Sequence, residues 1–202
     1  MSATTIRYVA LGDSYTIGEG ASEEASWPSV LTKHLQRNGI DIQLVANPSV
    51  TGWTTQQVID RELSVYDEAN PTFATLLIGV NDWVQGVDNK TFRHNLVIIL
   101  DRMQSKLPDK SKLVLVTIPD FLVTPSGRQF SSGRDSSKGI AEFNAIIIEE
   151  AIKKNLSVVD IYPLTQQMQG DLVSSDGLHP SAKEYALWEN LIYPVVIPLL
   201  RK

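Results

Sequence analysis

Cysteine is absent from the 202 residues, which removes disulfides, thiolate metal ligands and thiol nucleophiles together. Histidine is scarce. The three copies, His34, His94 and His179, are scattered without the spacing of a ligand set, so neither a metal nor a cofactor is expected. Positive charge is not in excess: 18 Lys and Arg stand against 23 Asp and Glu, a net charge of -5. Phosphate backbones and anionic membrane surfaces are held mainly through Lys and Arg, so nucleic acid and charged lipid are disfavoured as partners. Long apolar runs are also missing. The most apolar stretch, residues 191–200, is far shorter than the ~20 residues a spanning helix needs, and Pro194 and Pro198 are expected to interrupt it. No membrane span is expected. Residues 1–14 show no basic start followed by an apolar stretch and a small-residue cleavage site, so a cytoplasmic start is expected.

What is present is an ordinary globular composition, with 43% hydrophobic and 20% charged residues. At this length a single domain, residues 1–202, can bury a sizeable core. Strand-length apolar runs lie at 6–11, 42–46, 73–78, 113–118 and 157–161. Several are nearly continuous in β-branched residues and leucine, the pattern of strands buried on both faces of a parallel sheet. Between and after them, helical periodicity covers 27–37, 55–66, 91–107, 137–154 and 181–193. Gly39 suits the left-handed position after the first helix, Pro108 should stop the third, and Ser181 with Glu184 spells a capping box for the last. Strand and helix in alternation imply an open α/β sheet with helices on both faces. One long loop, residues 120–136, follows the fourth strand. It reads equally as a ligand-site loop or as a disordered tip.

Four short stretches near strand ends and the last helix could carry chemistry. Gly12-Asp13-Ser14 follows the first strand, where a sharp turn presents a serine above the sheet edge; the plainer alternative is a helix cap. Asp176-Gly177-Leu178-His179-Pro180 can deliver a base and the acceptor that orients it from one loop, or be merely an Asp-Gly turn with a surface histidine. Gly79-Val80-Asn81-Asp82 follows the third strand and offers an amide N–H, or an ordinary Asx turn. Ser49-Val50-Thr51-Gly52-Trp53 follows the second and offers a glycine N–H. Taken together they supply a nucleophile, a base with its orienting acid, and oxyanion donors, the set that acyl transfer requires.

In order and placement these blocks resemble the SGNH/GDSL hydrolase family: Gly12-Asp13-Ser14, Gly52, Gly79-x-Asn81-Asp82 and Asp176-x-x-His179-Pro180. Tyr15 stands where the name-giving motif has leucine. The resemblance implies a flavodoxin-like three-layer α/β/α sandwich with a five-stranded parallel sheet. It implies Ser14 as nucleophile, His179 as base and Asp176 as the residue orienting it. The oxyanion hole would then be the Ser14 and Gly52 backbone N–H groups with the Asn81 side chain.

The expected activity is hydrolysis of small-molecule carboxylic esters through an acyl-Ser14 intermediate. His179 must be neutral to take a proton, so activity should fall on acidification through the ordinary histidine range. A chain of this length has little room for a lid domain, which favours a shallow site and short acyl groups. Carbohydrate deacetylation, thioester hydrolysis or acyl transfer on the same site stay open, as does a non-catalytic ligand-binding module. Trp53 and Trp83 could line a substrate pocket or simply pack. Arg128, Arg134, His34 and His94 are expected to be solvated. The stretch 191–200 either folds back on the domain or meets a partner chain; the sequence does not fix the oligomeric state.

Overall fold

The computed structural model describes residues 5–201; residues 1–4, part of the stretch read for a leader, lie outside them. The chain runs β1 (Ile6–Gly12), α1 (Ser14–Ile17), α2 (Trp27–Arg37), β2 (Ile42–Ala46), α3 (Thr55–Gln57), a π-helical turn (Val58–Glu62) and α4 (Leu63–Ala69). It continues with β3 (Phe73–Leu77), α5 (Val80–Val84), α6 (Asn89–Lys106), β4 (Leu113–Val116), α7 (Ser136–Lys153), β5 (Ser157–Val159), α8 (Tyr162–Thr165) and α9 (Ala182–Leu200). The sheet has five strands in the order β2-β1-β3-β4-β5, all parallel. The five expected strands are present, each within a few residues of its expected span. Central β3 and β4 are buried along their whole length, and β1 beyond its first two residues. That is why their sequences show almost no alternation.

The α2 helix packs on α9, and α6 packs on both α4 and α7; with the right-handed crossovers that parallel strands require, these two groups cover opposite faces of the sheet. The chain leaves β1 in one direction toward β2 and passes back over it to β3. The loops after β1 and β3 therefore diverge and leave a crevice at the strand carboxyl ends. Gly12 pairs with Leu77 in register, so both strands end level and their loops start side by side.

Several helix boundaries follow local chemistry. Gly39, at φ 81°, closes α2 with bonds from Gly39 N–H to Gln36 O and Ile40 N–H to Leu35 O, a Schellman ending. Before Pro108, Leu107 is extended and α6 stops. The expected Ser181–Glu184 capping box does not form. The Ser181 hydroxyl donates to Asp171 O at 2.7 Å, and buried Glu184 accepts the Trp188 indole N–H at 2.8 Å.

The C-terminal prolines do not break α9, contrary to the expectation from sequence. Each removes one helical N–H, but Ile192, Val196 and Leu200 fall on one buried stripe. Burial of each side chain is worth about 1.5–3 kcal/mol, enough to hold the helix through both prolines. The stretch folds back on the domain, where α9 packs on α2. That packing also corrects His34: its ring stacks on Tyr193 at 3.7 Å between centroids and bonds Glu189 at 2.9 Å. His94 is exposed, as expected. Among the described residues no helix is long and apolar enough to cross a membrane.

Candidate active site

At the end of β1, Asp13 turns the chain into α1. Its Oδ1 accepts the Tyr15 N–H at 3.0 Å, so the cap belongs to Asp13 and the Ser14 hydroxyl is left free of that duty. Gly12 is required here: a Cβ would meet Thr16 Oγ1 at 2.2 Å and Leu77 O at 2.3 Å. The helix after Ser14 is a single turn, so it lends little macrodipole and the first N–H groups matter more.

Asp176 and His179 form a tight pair. Asp176 Oδ1 accepts the Ser174 hydroxyl at 2.7 Å, Leu178 N–H at 2.7 Å and His179 N–H at 2.9 Å. Its Oδ2 accepts His179 Nδ1 at 2.7 Å. Burial pushes this carboxyl up, but the bonds from Leu178, Ser174 and His179 outweigh it and hold the group well below the usual carboxylate range. The imidazole is thereby fixed with its proton on Nδ1 and its Nε2 directed away from Asp176.

Packing brings this loop against the one after β1. Tyr15 meets the His179 ring edge-on at 5.8 Å between centroids, and the Tyr185 hydroxyl donates to Glu19 O at 2.8 Å. A Cβ on Gly20 would lie 2.7 Å from Pro180 O and 2.8 Å from Ser174. Ser14, Gly52, Asn81 and His179 consequently line one cavity of about 240 Å³. Among the described residues Ser14 Oγ and His179 share no hydrogen bond, and neither the Ser14 nor the Gly52 N–H is spent on another acceptor.

Gly52 sits at φ 82° in a turn closed by Trp53 N–H to Val50 O, a conformation that glycine adopts freely. Asn81 Nδ2 donates to Trp53 O at 2.9 Å and lies 3.5 Å from Asp13 Oδ2. This ties the loops after β1, β2 and β3 together. The following Asp82 is buried and accepts Thr55 N–H at 2.9 Å. Burial, resisted by the Tyr15 N–H and reinforced by the Asp82 charge, raises the Asp13 carboxyl to about 8. Beneath them Glu62, turned inward by the π-helical turn, accepts Gly12 N–H at 3.0 Å. Burial raises Glu62 to about 8 as well, against the pull of that N–H.

The two tryptophans do not line the cavity. Trp83 is buried behind its wall, with Arg134 4.0 Å over its ring and Phe121 at 6.0 Å. Trp53 contributes its carbonyl to Asn81. Their places are taken by Tyr15, Val80, Val84, Leu178, Phe121 and Phe130. Phe121 and Phe130 come from the long loop, which is ordered around short 3₁₀ turns rather than being a loose tip. Arg134 is exposed, as expected, but its guanidinium is tied to the wall: it donates to Trp83 O at 2.8 Å and Val84 O at 2.9 Å. Periodicity offered no sign of Phe121 and Phe130 in this wall, since residues 120–135 belong to no strand or long helix.

The sequence also showed no cluster of metal-ligand type, yet the fold brings Glu19 beside Asp176 and His179, with donor atoms within 4.8 Å of one another. Asp176 and His179 are already committed to each other through Nδ1, so the trio falls short of a four-ligand site. Glu19 Oε2 lies 3.8 Å from His179 Nε2 and accepts the Thr51 hydroxyl.

Comparison with known proteins gives the following. Residues 10–187 match the model of the GDSL-like Lipase/Acylhydrolase family. An arylesterase of Vibrio mimicus is 32% identical over 95 residues, 47% of this chain and 47% of that protein's length. The chain is 23% identical over 171 residues, 85% of its length and 74% of the relative's, to an Escherichia coli (strain K12) protein named thioesterase 1/protease 1/lysophospholipase L1. The crystal structure of a lipase/acylhydrolase from Enterococcus faecalis superposes with a TM-score of 0.78 at 24% identity, covering 97% of each chain.

Proposed function

Since the chain belongs to the GDSL-like Lipase/Acylhydrolase family, we propose that it hydrolyses carboxylic esters with short acyl groups through an acyl intermediate on Ser14. The observation that carries this reading is the Asp176–His179 pair, bonded at 2.7 Å, opening into the same cavity as Ser14, Gly52 and Asn81.

In acylation Ser14 Oγ bonds to the ester carbonyl carbon while its proton passes to His179 Nε2. That proton then leaves on the alcohol oxygen as the old C–O bond breaks. Water repeats the sequence: it loses a proton to Nε2, attacks the acyl carbon, and Ser14 Oγ departs with the proton. Asp176 stays ionised and stabilises the imidazolium formed in each half. Charge on the tetrahedral oxygen is met by the Ser14 and Gly52 N–H groups and by Asn81 Nδ2. The hydrogen bond from Ser14 to His179 forms as substrate settles, as is common for catalytic contacts that are loose in the free enzyme.

The acyl half sits among Val80, Val84, Phe121, Phe130 and Leu178. A cavity of about 240 Å³, shared with the reacting atoms, favours acetyl to butyryl over long chains. Labelling with a fluorophosphonate tests the chemistry: one adduct per chain is expected, mapped to Ser14 and absent from Ser14→Ala. An adduct elsewhere, or none, overturns it. Rates on acetyl, butyryl and palmitoyl esters of one alcohol test the size limit, and a clear palmitoyl preference overturns that part alone.

A further inference from the structure

We propose that Glu19 selects the alcohol half of the ester by charge, favouring leaving alcohols that carry a cationic group and rejecting anionic ones; this rests on the Ser14–His179 reading above. The argument starts from proton transfer. The leaving oxygen must lie within hydrogen-bond reach of His179 Nε2 to receive its proton. Glu19 Oε2 is 3.8 Å from that nitrogen, so whatever substituent the oxygen carries passes beside the Glu19 carboxylate.

The carboxylate is held in place. Thr51 donates its hydroxyl to Glu19 Oε2, and the Glu19 carbonyl accepts the Tyr185 hydroxyl at 2.8 Å. Glu19 also borders a second cavity, which meets the catalytic one at Thr51 and is bounded further out by Glu23 and Asn47. The Asn47 side chain is turned to the backbone, donating Nδ2 to Thr16 O at 3.0 Å. The charged groups on this side of the site are therefore the carboxylates of Glu19 and Glu23.

No Lys or Arg lines either cavity. Among the described residues the only ion-pair partner of Glu19 is His179 itself. A phosphate or carboxylate on the alcohol would meet a like charge with no cation to hold it, whereas an ammonium would gain one. The apolar wall of Val80, Val84, Phe121, Phe130 and Leu178 lies on the acyl side, so the two halves of a substrate are read by different chemistry: size for the acid, charge for the alcohol.

The test uses three butyryl esters of similar bulk: of 2-(trimethylammonio)ethanol, of its neutral isostere 3,3-dimethylbutanol, and of 2-hydroxyethanesulfonate. The kcat/KM of each is measured at low ionic strength for the unsubstituted protein, Glu19→Gln and Glu19→Lys, and ratios between esters cancel any common effect on the base. The cationic ester should exceed the neutral one by about three- to fivefold, the size of a half-exposed ion pair, and the anionic ester should fall below it by as much. Salt should shrink both ratios. Glu19→Gln should bring them close to one, and Glu19→Lys should invert them. Ratios that do not change with residue 19, while hydrolysis still depends on Ser14, overturn this inference and leave the reaction standing. Absence of Ser14-dependent hydrolysis of all three overturns both.

Discussion

Replacing Asp176 with asparagine probes the site more sharply than deleting it. Asp176 Oδ1 accepts from the Ser174 hydroxyl, Leu178 N–H and His179 N–H, while Oδ2 accepts from His179 Nδ1 alone. An amide must keep its oxygen where the three donors converge, so its NH₂ is forced toward Nδ1. The imidazole then carries its proton on Nε2, the wrong atom for a base. Restoring the working tautomer sets two N–H groups face to face, leaving the N–H of buried His179 without an acceptor at about 1–3 kcal/mol. Loss of the charge-assisted bond to the imidazolium adds about 1.5–3 kcal/mol. Together these lower kcat by roughly 10³–10⁴, the general size of such a change in Ser-His-Asp enzymes. The three retained bonds to the amide oxygen should keep the loop folded, while loss of the charge they favour lowers the melting temperature modestly. Steady-state kinetics on a butyryl ester, with nitrogen NMR of the imidazole to report the tautomer, is the assay. Activity within tenfold of the parent, or a proton still on Nδ1, refutes the reasoning.

Asn81→Ala should lower kcat by roughly 10²–10³ with measurable activity remaining, because one oxyanion donor of three is lost; Ser14→Ala should show none, and equal residual rates would contradict the two roles. Glu62 holds its proton in the folded chain up to about pH 8 against an ordinary value of 4.5. Between those values the unfolded chain is the more ionised state, so this group lowers stability as pH rises. Glu62→Gln should accordingly stabilise little near pH 4.5 and by about 3 kcal/mol at pH 7, measured by urea unfolding at both; an equal effect at the two pH values would refute it. In α7 a Cβ on Gly139 would lie 1.8 Å from Trp83 Nε1, and Trp83 is pinned by Arg134 and Phe121. Gly139→Ala should therefore cost about 1–3 kcal/mol of stability, the scale of overpacking, and an unchanged melting temperature would show that the indole has room to move.

The sequence carried the sheet, because strands buried on both faces must be apolar throughout, and helices between them must show a 3.6-residue period. It carried the Asp176–His179 pair as well, since three residues across a Gly turn leave those side chains little freedom to separate. Its errors cluster where local rules lose to packing. Ser181 and Glu184 found tertiary partners instead of each other, and the α9 prolines were tolerated because a buried stripe outweighed two missing N–H groups. Trp83 looked like a pocket residue from its place after Asn81-Asp82, but Arg134 and Gly139, remote in sequence, draw it behind the wall.

By itself, then, the order of residues determined the layered architecture and pointed to the reacting groups proposed above, both of which depend on short-range spacing and burial pattern. Only the tertiary structure decided what surrounds those groups: the aromatic wall from residues 120–136, the Glu62 carboxyl under Gly12, and the Glu19 carboxylate beside His179 Nε2. These contacts join loops far apart along the chain, and no periodicity or local propensity records which distant loop will close over a given strand end.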